Sequence, residues 1–500
     1  MITQEKKSYK SAQKPKGAKP VRQCLPAGKA GFGFQYSQSH TALSEKFIHF
    51  VGIGGIGMSG IAFILAKQGY IISGSDIKES PITKKLSSEG IRVFLGHDAS
   101  YLGGARIVVY SSAIKEDNPE LQAAKAKGLV IMKRAEVLAQ LMQGKSCIAV
   151  SGAHGKTTTC GLTSHLLLQA GFHPTLAIGG ILHNIDDNFC AGESNFFIAE
   201  ADESDGTFLY YHPDYSIVTN IDREHLDYYK DWPSIISAYT KFIANTKEDG
   251  CLFCCGDDPA SCLITRAYKK RLVYFGLSDK NDFYPQNSIL NEFSSVFDCY
   301  FKDAFIGRIH LPLAGRHNIS NSLSVVALGL ELGISAKRII EAIATFKGTQ
   351  RRFQLKADIK GIRVIDDYGH HPAEIQATIQ AAKNVAHKRL VVVFQPHRYS
   401  RTKFLLDEFT ESFTLADCII LTDTYAASEE PIDGVSAQVL CDKIKERYAF
   451  SYVVYVKKEE VIEHILSMVK PGDLILTLGA GDIGKVSDEL VQRIKSKNTF

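Results

Sequence analysis

Short apolar runs, each followed by a glycine- or acid-bearing turn and then by a stretch of helical spacing, recur from Phe47 onward. Brief apolar runs bounded by turn residues read as buried strands, and apolar positions recurring roughly every three to four residues read as amphipathic helices. Phe47 to Val51, Ile71 to Asp76 and Arg106 to Tyr110 form a first group of strands, with a helix predicted from Met58 to Gln68. Cys147 to Val150, Phe196 to Glu200 and Tyr215 to Thr219 form a second, with helices from Thr157 to Ala170 and from Ile319 to Leu332, each stopped by a glycine. Arg363 to Ile365, Leu390 to Phe394, Cys418 to Thr422 and Leu474 to Leu478 form a third. Alternating strands and helices of this kind predict an α/β protein built on largely parallel sheets.

The length of 500 residues divides this pattern, at about 150 residues per domain, into about three domains. Gly144 marks one boundary and the basic segment Lys347 to Phe353 another. The expected units are a basic extension over 1–44, a first domain over 45–143, a central domain over 144–346 and a third over 347–500. The extension is rich in Lys, Ser, Gly, Pro and Gln without periodicity, which predicts a mobile segment with no catalytic part; an organellar address is the alternative. It also accounts for the net charge of +4: setting aside residues 1–40, the 58 basic and 54 acidic side chains fall to 50 and 53. The remainder therefore gives no reason to expect nucleic acid. No apolar run approaches the roughly 20 residues of a membrane helix, and the amino terminus lacks the apolar core of a secretory signal, so a cytoplasmic protein without membrane insertion is expected. The 11 cysteines are scattered. They read as reduced buried residues, and Cys251, Cys254 and Cys255 lack a second ligand pair at zinc-finger spacing.

Candidate chemistry sits at the strand ends. Ser151-Gly152-Ala153-His154-Gly155-Lys156-Thr157-Thr158 turns from a strand into a helix, where unpaired N–H groups and the positive end of the helix dipole favour an anion. Gly152 and Gly155 let the backbone approach a phosphate, Lys156 supplies a mobile charge and the Thr157 hydroxyl reaches magnesium. The spacing is G-x-x-G-K-T, with Val150 where the longer phosphate-loop pattern has its first glycine. Glu200, Asp202, Glu203 and Asp205 lie just past a strand and suit magnesium, which takes oxygen ligands. His225 lies past the next strand, in reach of a metal or phosphate role. Gly52-Ile53-Gly54-Gly55-Ile56-Gly57 is a G-x-G-x-x-G turn, followed by Ser75 and Asp76, an arrangement that in a dinucleotide site holds a ribose. Ser111 lies at a further strand end, and Asn318 at a helix start where a nucleotide can be held.

Together FVGIGGIGMSGIA, SGAHGKTTT, EADESDGTF, TNIDREHLD, LPLAGRHNISN, KGTQRRFQ, DDYGHHPAEI, QPHRYSRT and LGAGDIG, in this order from about Lys46 to Gly484, resemble the bacterial Mur ligase family. The resemblance implies three domains: a Rossmann-like UDP-binding domain, a central P-loop ATPase-type domain and a C-terminal Rossmann-like α/β domain. It implies an ATP- and Mg2+-dependent ligase of peptidoglycan precursor synthesis, and GIGGIGMSG points to the member that adds L-alanine to UDP-N-acetylmuramate. By motif position, Gly54, Gly55, Ile56 and Gly57, with Ser75, Asp76 and Ser111, would bind the UDP-sugar. Lys156 would span the β- and γ-phosphates within a cradle of Gly152, Ala153, His154, Gly155, Thr157 and Thr158. Thr157, Glu200 and His225 would hold metal, Asn318 and Asp366 would touch the nucleoside, and Arg352 would lie at the γ-phosphate. His370, Arg398 and Arg401 would surround the amino acid. Ala153 stands where the family frequently has Thr, which removes one side-chain contact and leaves the backbone cradle.

The chemistry fits these residues independently. A carboxylate must be activated before an amine can attack it, and γ-phosphoryl transfer makes it an acyl phosphate, with cations shielding two anions that repel. The amine then expels phosphate, and its proton goes to His370, to phosphate or to water. Three rivals remain: a sister ligase that recycles murein tripeptide, a nicotinamide oxidoreductase using Gly52 to Gly57 and Asp76, and a non-catalytic nucleotide switch. The oxidoreductase leaves Lys156, Glu200 and the arginines without a role. Monomer and homodimer are both open.

Overall fold

The computed structural model describes residues 47–496 apart from 112, 428 and 448–451, so the expectation for 1–44 lies outside the described residues. Three sheets are present among the described residues. The first joins β1 (Phe47–Val51), β2 (Ile71–Asp76), β3 (Arg92–Leu95), β4 (Ile107–Tyr110) and β5 (Val130–Lys133) in the order β3-β2-β1-β4-β5. Every pairing is parallel. The order turns at β1, the strand that feeds Gly52–Gly57, so this loop opens at the switch point where such sheets hold ligands.

The central sheet is larger than the predicted strands require. It comprises β6 (Ser146–Ser151), β7 (Thr175–Leu182), β8 (Asp187–Cys190), β9 (Phe196–Glu200), β10 (Tyr215–Val218), β11 (Cys251–Cys255), β12 (Arg271–Phe275), β13 (Phe283–Leu290), β14 (Ser295–Phe301) and β15 (Ala304–Leu311). Their order is β15-β14-β13-β12-β11-β10-β6-β9-β7-β8. β6 lies between β10 and β9, parallel to both, and Val150 is in register with Glu200. The carboxyl ends of three strands thus deliver the phosphate loop, Glu200 and the Asn220–His225 segment to one layer. The helix Lys156–Gln169 that follows β6 is buried along most of its length, because the helix Arg316–Glu331 packs beside it. Cys251, Cys254 and Cys255 are core residues of β11, and burial pushes the Cys251 thiol up to about 12.

The third sheet runs β16-β17-β21-β18-β19-β20, with β16 (Gln354–Ile359), β17 (Ile362–Asp367), β18 (Arg389–Phe394), β19 (Cys418–Leu421), β20 (Tyr452–Tyr455) and β21 (Asp473–Leu478). Only β16 is antiparallel to its neighbour. The expected strands are present; β16 and β20 are additional edges. The central and third sheets are tied where Gln350 N–H donates to the Ile181 carbonyl at 2.9 Å and His183 N–H to that of Gly348 at 3.2 Å. The first sheet is tied to the central one where Asn188 Nδ2 donates to the Ile56 carbonyl at 3.0 Å. No described helix is long and apolar enough to cross a membrane.

Candidate active site

The phosphate loop is fixed from behind before it faces any ligand. Ala153 N–H donates to the Asn220 carbonyl at 3.1 Å, and His154 N–H to Asn220 Oδ1 at 2.8 Å. Gly155 has φ of 82° at the helix start with no side-chain cap, a left-handed conformation that suits glycine. The N–H groups of the first turn are therefore left for an anion. Lys156 Nζ lies 2.8 and 2.9 Å from the two oxygens of Glu203 and 2.6 Å from the Gly152 carbonyl. Burial opposes its charge, but Glu203, Asp202 and Glu200 outweigh burial and hold its pKa above the ordinary lysine value. Thr157 Oγ1 donates to Glu200 Oε1 at 3.1 Å, and Glu200 Oε2 accepts from Gly179 N–H at 2.9 Å. Thr157 and Glu200 thus form the oxygen pair that a hard cation takes. His225 stands with other acids: one donor atom each of His225, Asp202 and Glu203 lies within 4.8 Å of the others.

A cleft of about 830 Å³ opens between the central and third sheets. From the central side it is lined by His154, Gly155, Thr158, His317 and Asn318, and from the third by Arg352, Asp367 and Glu374. Asn318 Nδ2 donates to the Ala314 carbonyl at 2.7 Å. Arg352 Nη1 lies 3.6 Å from Glu374 Oε1. Two predicted contact residues lie elsewhere than expected. Asp366 is 0% exposed, its carboxylate held by Arg351 Nε at 2.9 Å and Thr477 Oγ1 at 2.8 Å; the neighbouring Asp367 lines the cleft instead. Ser75 is also 0% exposed. Its hydroxyl donates to Glu120 at 2.7 Å, inside a buried group with His49 and His97.

Two smaller recesses flank the loop. One, of about 200 Å³, lies between the first and central sheets and is lined by Ile56, Gly57, Arg134, Gly179, Glu200 and Asp202. Above it Asp76 Oδ2 accepts from Gly54 N–H at 2.8 Å, so this acid fixes the glycine turn. Ser111 lies at the end of β4, where its Oγ accepts from Ala113 N–H at 3.3 Å. The other recess is narrow and is lined by Glu224, His225, Arg398 and Arg401. Arg401 Nε lies 3.9 Å from Glu224 Oε1. Burial, then the Arg401 charge, lowers the His370 pKa to about 4, which leaves a neutral imidazole at pH 7. Its Nδ1 lies 3.1 Å from the Tyr368 carbonyl; donation there leaves Nε2 with a lone pair.

The structure brings together Lys156, Thr157, Glu200 and Asn318 on the central side and Arg352, His370, Arg398 and Arg401 on the third. Sequence reasoning passed over Arg134 and Glu374. Glu374 had a signal: it sits three residues after His371, and its Oε2 accepts from the His371 N–H at 3.2 Å as a helix-start cap does. Arg134 had none, being a single arginine at an ordinary helix start.

Comparison with known proteins agrees with this layout. Residues 47–146 match the family model described as Mur ligase family, catalytic domain; 150–329 match the Mur ligase middle domain; 351–481 match the Mur ligase, glutamate ligase domain. The UDP-N-acetylmuramate--L-alanine ligase of Geotalea uraniireducens is 44% identical over 449 residues, covering 90% of this chain and 98% of that protein. The enzyme of the same description from Pelotomaculum thermopropionicum is 42% identical over 452 residues, again covering 90% and 98%. Among solved structures, UDP-N-acetylmuramate-alanine ligase MurC from Thermotoga maritima superposes with a TM-score of 0.77 at 31% identity, covering 90% of this chain and 99% of that one. A murein peptide ligase from Psychrobacter arcticus shares the fold, with a TM-score of 0.68 at 22% identity, covering 91% and 100%.

Proposed function

We propose, from the premise that the chain belongs to the Mur ligase family, that it joins L-alanine to UDP-N-acetylmuramate with hydrolysis of ATP to ADP and phosphate. The observation that carries this reading is that the phosphate loop reaches two recesses, one through Gly155 and Thr158 and the other through Glu200, which accepts from Thr157. The first is the nucleotide-sized cleft with Arg352, and the second is the recess shared by Gly57, Arg134 and Glu200. A sugar carboxylate entering from the first sheet meets a γ-phosphate entering from the third at Glu200. The 44% identity over 90% of the chain to an alanine-adding enzyme favours alanine over tripeptide as the acceptor. We divide the chain as expected, with boundaries near 144 and 347, and place the reaction in the cytoplasm, where reduced cysteines such as the ten free ones described here persist.

Each residue has a part in this reading. The loop N–H groups and Lys156 hold the β- and γ-phosphates, and Arg352 neutralises charge that develops on the transferred group. Thr157 and Glu200 would hold Mg2+, which would shield the phosphate oxygens from the incoming carboxylate; Asp202, Glu203 and His225 offer a second position. Arg134 and the Gly54–Gly57 turn hold the sugar diphosphate, and Arg398 and Arg401 pair with the alanine carboxylate. The amine attacks the acyl carbon, the carbon–oxygen bond to phosphate breaks, and the ammonium proton must leave. With a pKa near 4, His370 is too weak a base to take that proton fully at neutral pH. In this reading His370 orients the amine through Nε2 and the departing phosphate or water accepts the proton.

The test is phosphate release with UDP-N-acetylmuramate and ATP, compared across alanine, serine, glycine and a murein tripeptide. Alanine should be preferred over glycine and serine by roughly 10- to 200-fold, the range of a methyl-sized distinction. Phosphate release that ignores the amino acid would sink the ligase reading, and a tripeptide preference would move the chain to the recycling enzyme.

A further inference from the structure

One group of side chains stands out by what it leaves unpaired. His154 belongs to the phosphate loop, Glu224 follows β10, and His371 precedes the helix Pro372–Ala382 of the third sheet. One donor atom of each lies within 4.8 Å of the other two. Glu224 and His371 are 7% and 4% exposed. His154 Nδ1, Glu224 Oε1 and His371 Nε2 are all buried without a hydrogen-bond partner among the described residues, and the last two are 3.9 Å apart. A buried nitrogen or oxygen is costly to leave without a partner, so three in one cluster call for a common one.

The surroundings indicate what that partner is. Asp222 lies behind both rings, with its Oδ2 3.1 Å from His154 Nε2 and 3.7 Å from His371 Nδ1. Metal-bound histidines usually give the far N–H to a carboxylate, which leaves the near nitrogen free to ligate. A fourth oxygen is at hand, since Glu374 Oε1 lies 3.5 Å from His154 Nδ1. Two imidazoles with carboxylate oxygen suit zinc and its neighbours and suit magnesium poorly.

We propose that His154, Glu224 and His371 form a site for a zinc-class divalent ion, separate from the oxygen pair at Thr157 and Glu200. The ion joins the phosphate loop to the third sheet at the cleft that His154 lines. Zinc therefore raises the thermal midpoint.

The experiment uses the full chain freed of metal, with zinc titrated against a chromophoric chelator in the presence of millimolar magnesium. The wild type should take up one zinc per chain at micromolar free zinc or below. His371→Ala and Glu224→Gln should each weaken uptake by roughly 100-fold or more, while both still bind an ATP analogue. Glu203→Gln, which alters the other histidine-and-acid cluster, should leave zinc uptake unchanged. X-ray absorption at the zinc edge of the wild type should report two imidazole nitrogens and oxygen, a readout that stands even if a variant fails to fold. Equal uptake by wild type and His371→Ala, loss of uptake in Glu203→Gln, no uptake below about 100 µM, or a sulfur-containing shell would each overturn the site.

Discussion

Two loops of this molecule share a strand–glycine turn–helix plan and differ in charge. β1 turns through Gly52–Gly55 into the helix Ile56–Lys67, and β6 turns through Gly152–Gly155 into the helix Lys156–Gln169; neither helix start has a side-chain cap. Both leave N–H groups for an anion. In the first, the acid at hand is Asp76, spent on the Gly54 N–H, and the cation is Arg134, close enough that a Cβ on Gly57 would come within 2.5 Å of its Nη1. In the second, Lys156 is embedded among Glu200, Asp202 and Glu203, and Thr157 faces Glu200. Uncapped helix starts suit both loops to an anion. In the proposed reading, the density of opposed charge is what suits the second one to phosphate transfer.

Lys156→Ala tests that distinction with the largest expected effect. Alanine-dependent phosphate release should fall roughly 1,000-fold or more, as when a preorganised transition-state donor is removed, while binding of UDP-N-acetylmuramate, measured by calorimetry, stays within about two-fold. Unchanged turnover would remove the reactive role from this loop. Gly54→Ala is the converse and should act less strongly. Its added Cβ would meet Asp76 Oδ2 at 2.8 Å and Thr83 Cγ2 at 2.9 Å, which pushes the turn off its anchor. The KM for the UDP-sugar should rise roughly 10-fold with the KM for ATP unchanged; a rise in the ATP value instead would mean the two loops are not independent.

Both loops were legible in the sequence because each rests on a local pattern: an apolar strand, glycines where the chain turns, and a helix directly after. Choices that depend on a strand's facing were not legible. Asp366 and Asp367 are adjacent on β17, so they point to opposite faces. Which of them meets the cleft follows from the pairing of β17 with β16 and β21, and the resemblance selected the one that turned inward. Ser75 has the same history, since nothing local says that Glu120 is buried beneath β2. Contacts made across sheets were invisible for a different reason. His154 and Glu374 are far apart in sequence and meet only once the third sheet closes on the phosphate loop. The hairpins of β13 to β15 escaped because their mixed polar faces break the apolar runs by which the other strands were found.

Arg398 and Arg401 extend the comparison to the amino acid. Arg401 is held by His397, with Nη1 3.1 Å from both the carbonyl oxygen and Nδ1 of that residue, and it lies beside Glu224. Arg398 starts the helix Tyr399–Phe404 with φ of 70°, which turns it toward the same recess. Arg398→Ala should raise the KM for alanine roughly 10-fold, the loss of one charge-assisted contact, and leave the KM for ATP within about two-fold. A change confined to ATP would move Arg398 from the amino-acid side to the nucleotide side.

The smallest effect is on stability, and it is read by pH. Burial, then the neighbouring His370 and the charges of Arg401 and Arg398, drives the His397 pKa down to about 2, whereas an unfolded histidine titrates near 6.5. Because the folded value is the lower one, the unfolded chain takes up the proton first on acidification. Stability from this group is full above about pH 6.5 and is lost as pH falls from there toward 2. The folded ring stays neutral at pH 5, so the Nδ1 acceptor of Arg401 persists there. The thermal midpoint should therefore drop by several degrees between pH 7 and pH 5, while this ring leaves the KM for alanine unchanged over the same interval. His397→Gln keeps an acceptor for Arg401 but has no ring to protonate, so its midpoint should change less over that interval. An equally steep loss in the variant, followed by calorimetry at matched ionic strength, would place the acid-sensitive group elsewhere.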